Sequence, residues 1–262
     1  MLVWPVIIFI SIYLISLILL YFYQEKLLFV PDVLTKDYKF KFEAFYHEKN
    51  LETEDHKILS GLLFKADKSN GVVFFLHGNA GSNNSWGFIH SIYTALNYDL
   101  YLLDYRGYGK SEGKIESEKQ LYSDVQQAYN MIAKEYGEEK IIIIGQSLGT
   151  GPATMLAARN NPKTLILLTP YFSMSHLVRQ KFRIVPDFLL KYKFRTNDFI
   201  EHVKAPIAIF HGNKDLLINH SASLKLIKLC KPDDQIFIIE NLGHNGIHDN
   251  QLYHEKIKEV LK

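Results

Sequence analysis

The chain has 262 residues, 47% of them hydrophobic, and a formal net charge of only +2. That length supports one large core or at most two small ones, and so small a charge balance provides no whole-molecule field to draw in nucleic acid. The single cysteine, Cys230, excludes an intramolecular disulfide; in LIKLCKP it reads as a small core hydrophobe, since nothing beside it would activate the thiol.

The chain opens on an apolar run. From Leu2 to Tyr23 there is no charged side chain, and Ser11 and Ser16 are almost the only polar groups before Gln24. About 20 apolar residues are what a bilayer-crossing helix needs, and Trp4, Tyr21 and Tyr23 fit interfacial aromatics. A cleaved signal peptide would need a basic stretch before the run and a small-x-small site after it; the run instead ends YFYQEKLLF. A buried core helix is disfavoured because the segment is apolar on every face. The expectation is an uncleaved single-pass anchor over residues 1–24 and a folded unit over 25–262. Lys26, Lys36, Lys39 and Lys41 follow the run and no Lys or Arg precedes it, which by the positive-inside tendency puts the folded unit on the cytoplasmic side.

Beyond the anchor, strand and helix patterns alternate. Phe40–Tyr46 alternates polar and apolar as a half-buried strand does, and a second strand-like stretch covers Lys57–Phe64. Val72–Leu76 is almost entirely apolar and is followed by HGNAGS; Leu100–Leu103 is followed by DYRGYGKSEG. Ser117–Tyr136 is a helix pattern opening on a capping-box spacing, Ser117 to Gln120. Ile141–Ile144 leads into Gly145-Gln146-Ser147-Leu148-Gly149, then into a small-residue helix to Asn160. Leu165–Leu168 ends at Thr169-Pro170-Tyr171, and Tyr171–Val203 breaks the rhythm as a stretch too long for an ordinary connection. Ile207–Phe210 leads into HGNKD and a helix over Ser221–Cys230; Ile236–Ile239 leads into ENLGH and a last helix over Leu252–Leu261. Short, continuous Val/Ile/Leu/Phe runs are strands buried on both faces, so the pattern predicts a mostly parallel sheet flanked by helices, with its chemistry at the carboxyl ends of the strands.

At those ends stand the candidate residues. Gly145-x-Ser147-x-Gly149 between strand and helix is the pattern that lifts a serine hydroxyl above a sheet on a strained turn, at a helix N-terminus that favours negative charge. The hydroxyl needs a base. His244 follows the last strand, after Gly243, which would let the loop turn and present the ring; His248 is the nearest competitor. The base needs an orienting carboxylate, and Asp215 follows the preceding strand, giving the order Ser, Asp, His. The strand before that ends without an acid. An oxyanion would be received by the Leu148 N–H and by an N–H from the loop after Val72–Leu76, at Asn79 or next at Ala80. His77 reads as a support for that loop, and Asp104–Ser111 as a structural loop with a buriable Asp104–Arg106 pair. There is no Walker or dinucleotide fingerprint and no H-E-x-x-H, so neither cofactor nor metal is expected.

HGNAGS, DYRGYGKSEG, GQSLG, HGNKD and GHNG, in this order, resemble the α/β-hydrolase superfamily over Phe40–Lys262. Within it the chain is similar to Bem46-like proteins and the membrane-associated α/β-hydrolase domain proteins 13 and 17 (ABHD13, ABHD17), which also carry a hydrophobic N-terminus followed by a stretch like QEKLLFVP, and to serine aminopeptidase S33-type hydrolases. The resemblance implies an α/β-hydrolase fold, cofactor-free acyl ester or thioester hydrolysis on Ser147, and a cap formed by residues 171–203. The depalmitoylases of the group have a cysteine-rich, lipidated N-terminus that this chain lacks, which counts against that role. The alternatives are an S33-type peptidase and a non-catalytic membrane-anchored binding protein on the same fold. Arg179, Lys181, Arg183, Lys191, Lys193 and Arg195, interleaved with Phe182, Ile184, Val185, Phe188, Leu189 and Leu190, point the cap toward anionic lipid head groups.

Overall fold

The structure is a computed structural model and describes residues 3–262; the first two residues of the expected 1–24 anchor lie outside the described residues. Helix α1 spans Val3–Leu28, about 39 Å at the α-helical rise. It is long and apolar enough to cross a membrane, and of its side chains only that of Gln24 is buried. The helix runs past the expected boundary because Gln24, Glu25, Lys26, Leu27 and Leu28 are all good helix formers. It stops just before Val30–Pro31, which pair in parallel with Ala80–Gly81.

Eight strands form the main sheet: β1 (Tyr46–Glu48), β2 (Gly61–Phe64), β3 (Val72–Leu76), β4 (Asp99–Leu103), β5 (Ile141–Gln146), β6 (Thr164–Leu168), β7 (Ile207–Gly212) and β8 (Gln235–Ile239). Their order is β1-β2-β4-β3-β5-β6-β7-β8. Strand β2 is antiparallel to both neighbours, and the remaining pairs are parallel. Side chains alternate between two cores, as the two-residue period of a strand requires. Val72, Phe74, Leu76, Ile141 and Ile143 pack beneath helices α2 (Glu118–Tyr136) and α3 (Thr150–Arg159). Val73, Phe75, Ile142 and Ile144 face the opposite core, with Tyr253 and Ile257 of the C-terminal helix Gln251–Val260. Because both faces are covered, the central strands read as unbroken apolar runs.

Two expected strands come out differently. Phe40–Tyr46 is irregular until Tyr46: the rings of Phe40, Phe42 and Tyr46 pack on one another, and those of Phe42 and Tyr46 also meet Phe64. The apolar alternation thus serves an aromatic cluster rather than a ladder. Lys57–Phe64 divides at Ser60, with Ile58–Leu59 pairing to Leu51–Glu52 and only Gly61–Phe64 joining the main sheet.

The chain reverses direction across the sheet at β3. It passes from β3 to β4 on one side, then returns to β5 on the other, so the loops after β3 and β5 diverge at a topological switch point where such sheets bind ligands. Beside it lies the excursion 171–203, made of α4 (Met174–Lys181), one turn at Asp187–Leu189 and α5 (Thr196–Ile200). Ser173 caps α4 by accepting from the His176 N–H. The excursion is fastened to α1. The Gln24 amide donates to Leu189 O (3.1 Å) and accepts from the Lys191 N–H (2.9 Å), and Lys191 Nζ meets Glu25 at 2.9 Å. Farther up the helix the Tyr13 hydroxyl donates to Ile184 O at 2.6 Å.

Candidate active site

Ser147 follows β5 directly and holds φ at +50°, a left-handed value that a non-glycine residue adopts at a cost of order 1 kcal/mol or more. The flanking glycines are there because of space. A Cβ on Gly145 would stand 2.5 Å from the Gly149 carbonyl oxygen, and one on Gly149 would stand 2.0 Å from that of Leu76. The turn therefore closes only with glycine at both positions, and it presents the serine side chain at the carboxyl end of β5.

Asp215 and His244 arrive on the loops after β7 and β8. The Ser147 hydroxyl donates to His244 Nε2 at 3.1 Å, and His244 Nδ1–H donates to Asp215 Oδ2 at 2.7 Å. Asp215 Oδ1 accepts from the N–H groups of Leu217 and Ile218, both at 2.8 Å. Burial by itself would raise the Asp215 pKa; hydrogen bonds from His211, His244 and the Ile218 backbone outweigh it and hold the carboxyl well below the usual carboxylate range. The carboxylate is thus ionised when it faces the imidazole.

The loops reach this arrangement by a route different from the expected one. Gly243 does not adopt a left-handed backbone, and a Cβ there would meet nothing within 4 Å. The left-handed residues are Asn241 (φ 58°) and Gly246 (φ 86°). The glycine that matters is Gly212, where a Cβ would lie 2.2 Å from Leu242 O and 2.7 Å from Gly243 O. Close approach at Gly212 is what lets the two loops bring acid and base together. His248 is placed elsewhere: it is buried behind the Ser147 turn, and its Nε2–H donates to Gln146 Oε1 at 2.6 Å.

Asn79 and Leu148 line one cavity with Ser147. The peptide groups that carry their N–H groups are each pinned by the carbonyl. The Ser147 carbonyl accepts from the Thr150 hydroxyl at 2.6 Å. The Gly78 carbonyl accepts from His77 Nδ1–H at 2.7 Å. In a trans peptide the N–H points opposite to the C=O, so pinning each carbonyl fixes the direction of the Leu148 and Asn79 N–H. His77 is wholly buried, and that burial lowers its pKa to about 4, which keeps it a neutral donor.

Several supporting residues were not singled out from sequence. The Tyr105 hydroxyl donates to His77 O (2.9 Å) and that of Tyr108 to Asn79 O (2.7 Å), so the loop after β4 grips the loop after β3. The expected Asp104–Arg106 pair does not form. Arg106 binds Asp124 and Asp55 instead, with contacts of 2.6–2.8 Å, while Asp104 Oδ1 accepts from the Asn83 N–H at 2.7 Å. His211 stands behind the acid. Its Nε2–H donates to Ile218 O at 2.8 Å and lies 3.2 Å from Asp215 Oδ2, and the Ser223 hydroxyl donates to its Nδ1 at 2.7 Å. A histidine following an apolar strand was visible in HGNKD; its partners, supplied by later turns, were not.

A sheet of this order, with a serine on the strand-to-helix turn after β5 and a histidine and an aspartate meeting it from the same edge, defines an α/β-hydrolase. Residues 67–198 match the family model described as serine aminopeptidase, S33, and the chain belongs to that family of hydrolases. Among curated proteins it is 35% identical over 196 residues to an α/β-hydrolase domain-containing protein 17C of Xenopus tropicalis, covering 72% of this chain and 61% of that protein. It is 33% identical over 198 residues to the human 17B protein, covering 72% and 66%. The match thus spans about three-fifths to two-thirds of the length of those relatives. Among solved structures, an esterase of Pyrococcus furiosus aligns with a TM-score of 0.68 at 18% identity over 89% of this chain and 95% of that one. A monoacylglycerol lipase of Paleococcus ferrophilus aligns with a TM-score of 0.61 at 20% identity over 78% and 98%. These two likenesses speak to the fold.

Proposed function

We propose that the chain is a membrane-anchored serine hydrolase that cleaves a carboxylic ester or thioester through an acyl-enzyme on Ser147. The observation that carries this reading is the unbroken hydrogen-bond chain from the Ser147 hydroxyl through His244 to Asp215. In the reaction Ser147 Oγ attacks the carbonyl carbon while His244 Nε2 takes its proton. The oxyanion forms toward the Leu148 and Asn79 N–H groups, and His244 returns the proton to the leaving alcohol or thiol. Water then releases the acyl group by the same path, and Asp215 stabilises the imidazolium at both stages without being protonated.

The cavity favours an acyl substrate over a peptide with a free amine. Besides Ser147, Asn79 and Leu148 it is lined by Tyr171, Met174, Leu177 and other apolar groups, with Lys181 its one charged side chain and no carboxylate among the described residues. An amine would find a cation there and no partner. Residues 171–203 form the cap of this reading, and α1 the single-pass anchor, with the catalytic unit on the cytoplasmic side by the Lys asymmetry. The names of the solved neighbours, an esterase and a monoacylglycerol lipase, agree with ester chemistry.

The test is labelling of membrane fractions with a fluorophosphonate. Wild type is expected to label and Ser147→Ala to remain dark. A folded wild type that resists the probe would favour a non-catalytic binding protein instead.

A further inference from the structure

The last residues of α1 are part of the site. Leu27 and Leu28 line the cavity of about 380 Å³ that holds Ser147, Asn79 and Leu148. A second cavity of about 380 Å³ adjoins it between α1 and the excursion. Leu27, Leu28, Met174, Val178 and Phe182 line both. The outer cavity continues up α1 past Gln24 to Leu20 and is closed by Val185, Leu190 and Tyr192. Its few polar groups are engaged already: the Gln24 amide holds Leu189 O and the Lys191 N–H, and the Tyr192 hydroxyl donates to Ile115 O at 3.3 Å. Such walls offer water too few partners to hold it, whereas they suit an aliphatic chain.

We infer that α1 forms one wall of an acyl-chain slot, in which the substrate's tail runs from Ser147 along Leu27 and Leu28 to Leu20, held between the membrane helix and α4. From Leu28 to Leu20 the helix rises about 12 Å, a distance that takes roughly ten bonds of an extended alkyl chain, whose bonds of about 1.5 Å zigzag and so advance only about 1.25 Å each. Phe182 and Ile184 stand exposed at the side of the slot and continue the apolar surface of α1, so the tail would pass from lipid to the slot without crossing water. The inference rests on the acyl-hydrolase reading and assigns its substrate class: an acyl group of medium or long chain, presented from the bilayer.

The experiment uses the full chain in phosphatidylcholine vesicles and compares kcat/KM for p-nitrophenyl decanoate with that for p-nitrophenyl acetate. Wild type is expected to favour decanoate. Leu20→Trp and Val178→Trp are each expected to cut the decanoate-to-acetate ratio by about tenfold, the worth of roughly two methylenes kept out of an apolar site. Ile18→Trp, turned about 200° around the helix from Leu20, should leave the ratio where it is. A flat wild-type profile, or equal changes from Ile18→Trp and Leu20→Trp, would overturn the slot. Fluorophosphonate labelling of the same samples separates the two readings: a labelled protein with an unmoved ratio overturns the slot alone, and an unlabelled folded protein overturns the serine chemistry. In that last case a diazirine-bearing palmitic acid decides the slot. Crosslinks concentrated at Leu27, Val178 and Phe182 rather than Ile18 support it; crosslinks spread evenly along α1 refute it.

Discussion

Ser147 keeps a backbone conformation that serine dislikes, and it does so because Gly145 and Gly149 leave the turn no other shape. That much was legible, since G-x-S-x-G after an apolar run carries its own geometry. Asp215 and His244 were legible as positions after strands, but the means of bringing them together was not. The close approach at Gly212 depends on β7 and β8 being neighbours, and Tyr105, Tyr108 and His211 act through partners far away in the chain. Asp215→Asn should leave the fold intact and lower kcat by about 10⁴-fold, because the amide no longer enforces the imidazole tautomer; steady-state ester hydrolysis measures it. Tyr108→Phe removes one of two donors on the Asn79 carbonyl, the other being the Val30 N–H at 2.9 Å. It should reduce kcat by less than the roughly 100- to 1,000-fold that loss of an entire oxyanion donor costs, with KM little changed.

The central strands and the helices between them could be read from apolar period alone, because burial on both faces leaves little choice of residue. Failures came where a segment's partner lies off the sheet. Phe40–Tyr46 alternates for an aromatic cluster, and α1 looked finished at Gln24 because a polar side chain ends an apolar run. In the folded chain that side chain is buried, satisfied by Leu189 and Lys191. The basic excursion is also less bare than its sequence: Arg179 meets Asp187 at 3.2 Å, Arg195 meets Asp198 at 3.3 Å, and Lys191 meets Glu25. Gln24→Leu would strand the Lys191 N–H and cost about 1–3 kcal/mol. The expected readout is faster proteolytic nicking between residues 183 and 191, with the core of the domain still protected.

As a whole the molecule should be acid-labile. Burial lowers the pKa of His77 from 6.5 to about 4 and that of His248 from 6.5 to about 3. Unfolded, both would take up protons near pH 6.5, while folded they stay neutral. Their contribution is therefore complete above pH 6.5 and is lost as pH falls toward 4, at up to about 1.4 kcal/mol per pH unit for each site. Thermal melts from pH 7 to pH 4 should show a falling Tm, with a shallower fall in His248→Phe. One feature bears on what such a molecule can reach. Helix α1 enters the domain without a spacer: Phe29 N–H closes its last turn onto Glu25 O, and Val30 N–H is already bonded to Asn79 O. An enzyme on a leash samples a sphere of targets at many heights above the bilayer. With α1 as the anchor proposed above, a helix bolted this way to the loop beside Ser147 would fix one altitude, so that the bonds within reach would be decided first by how far they lie from the membrane plane and only then by their chemistry.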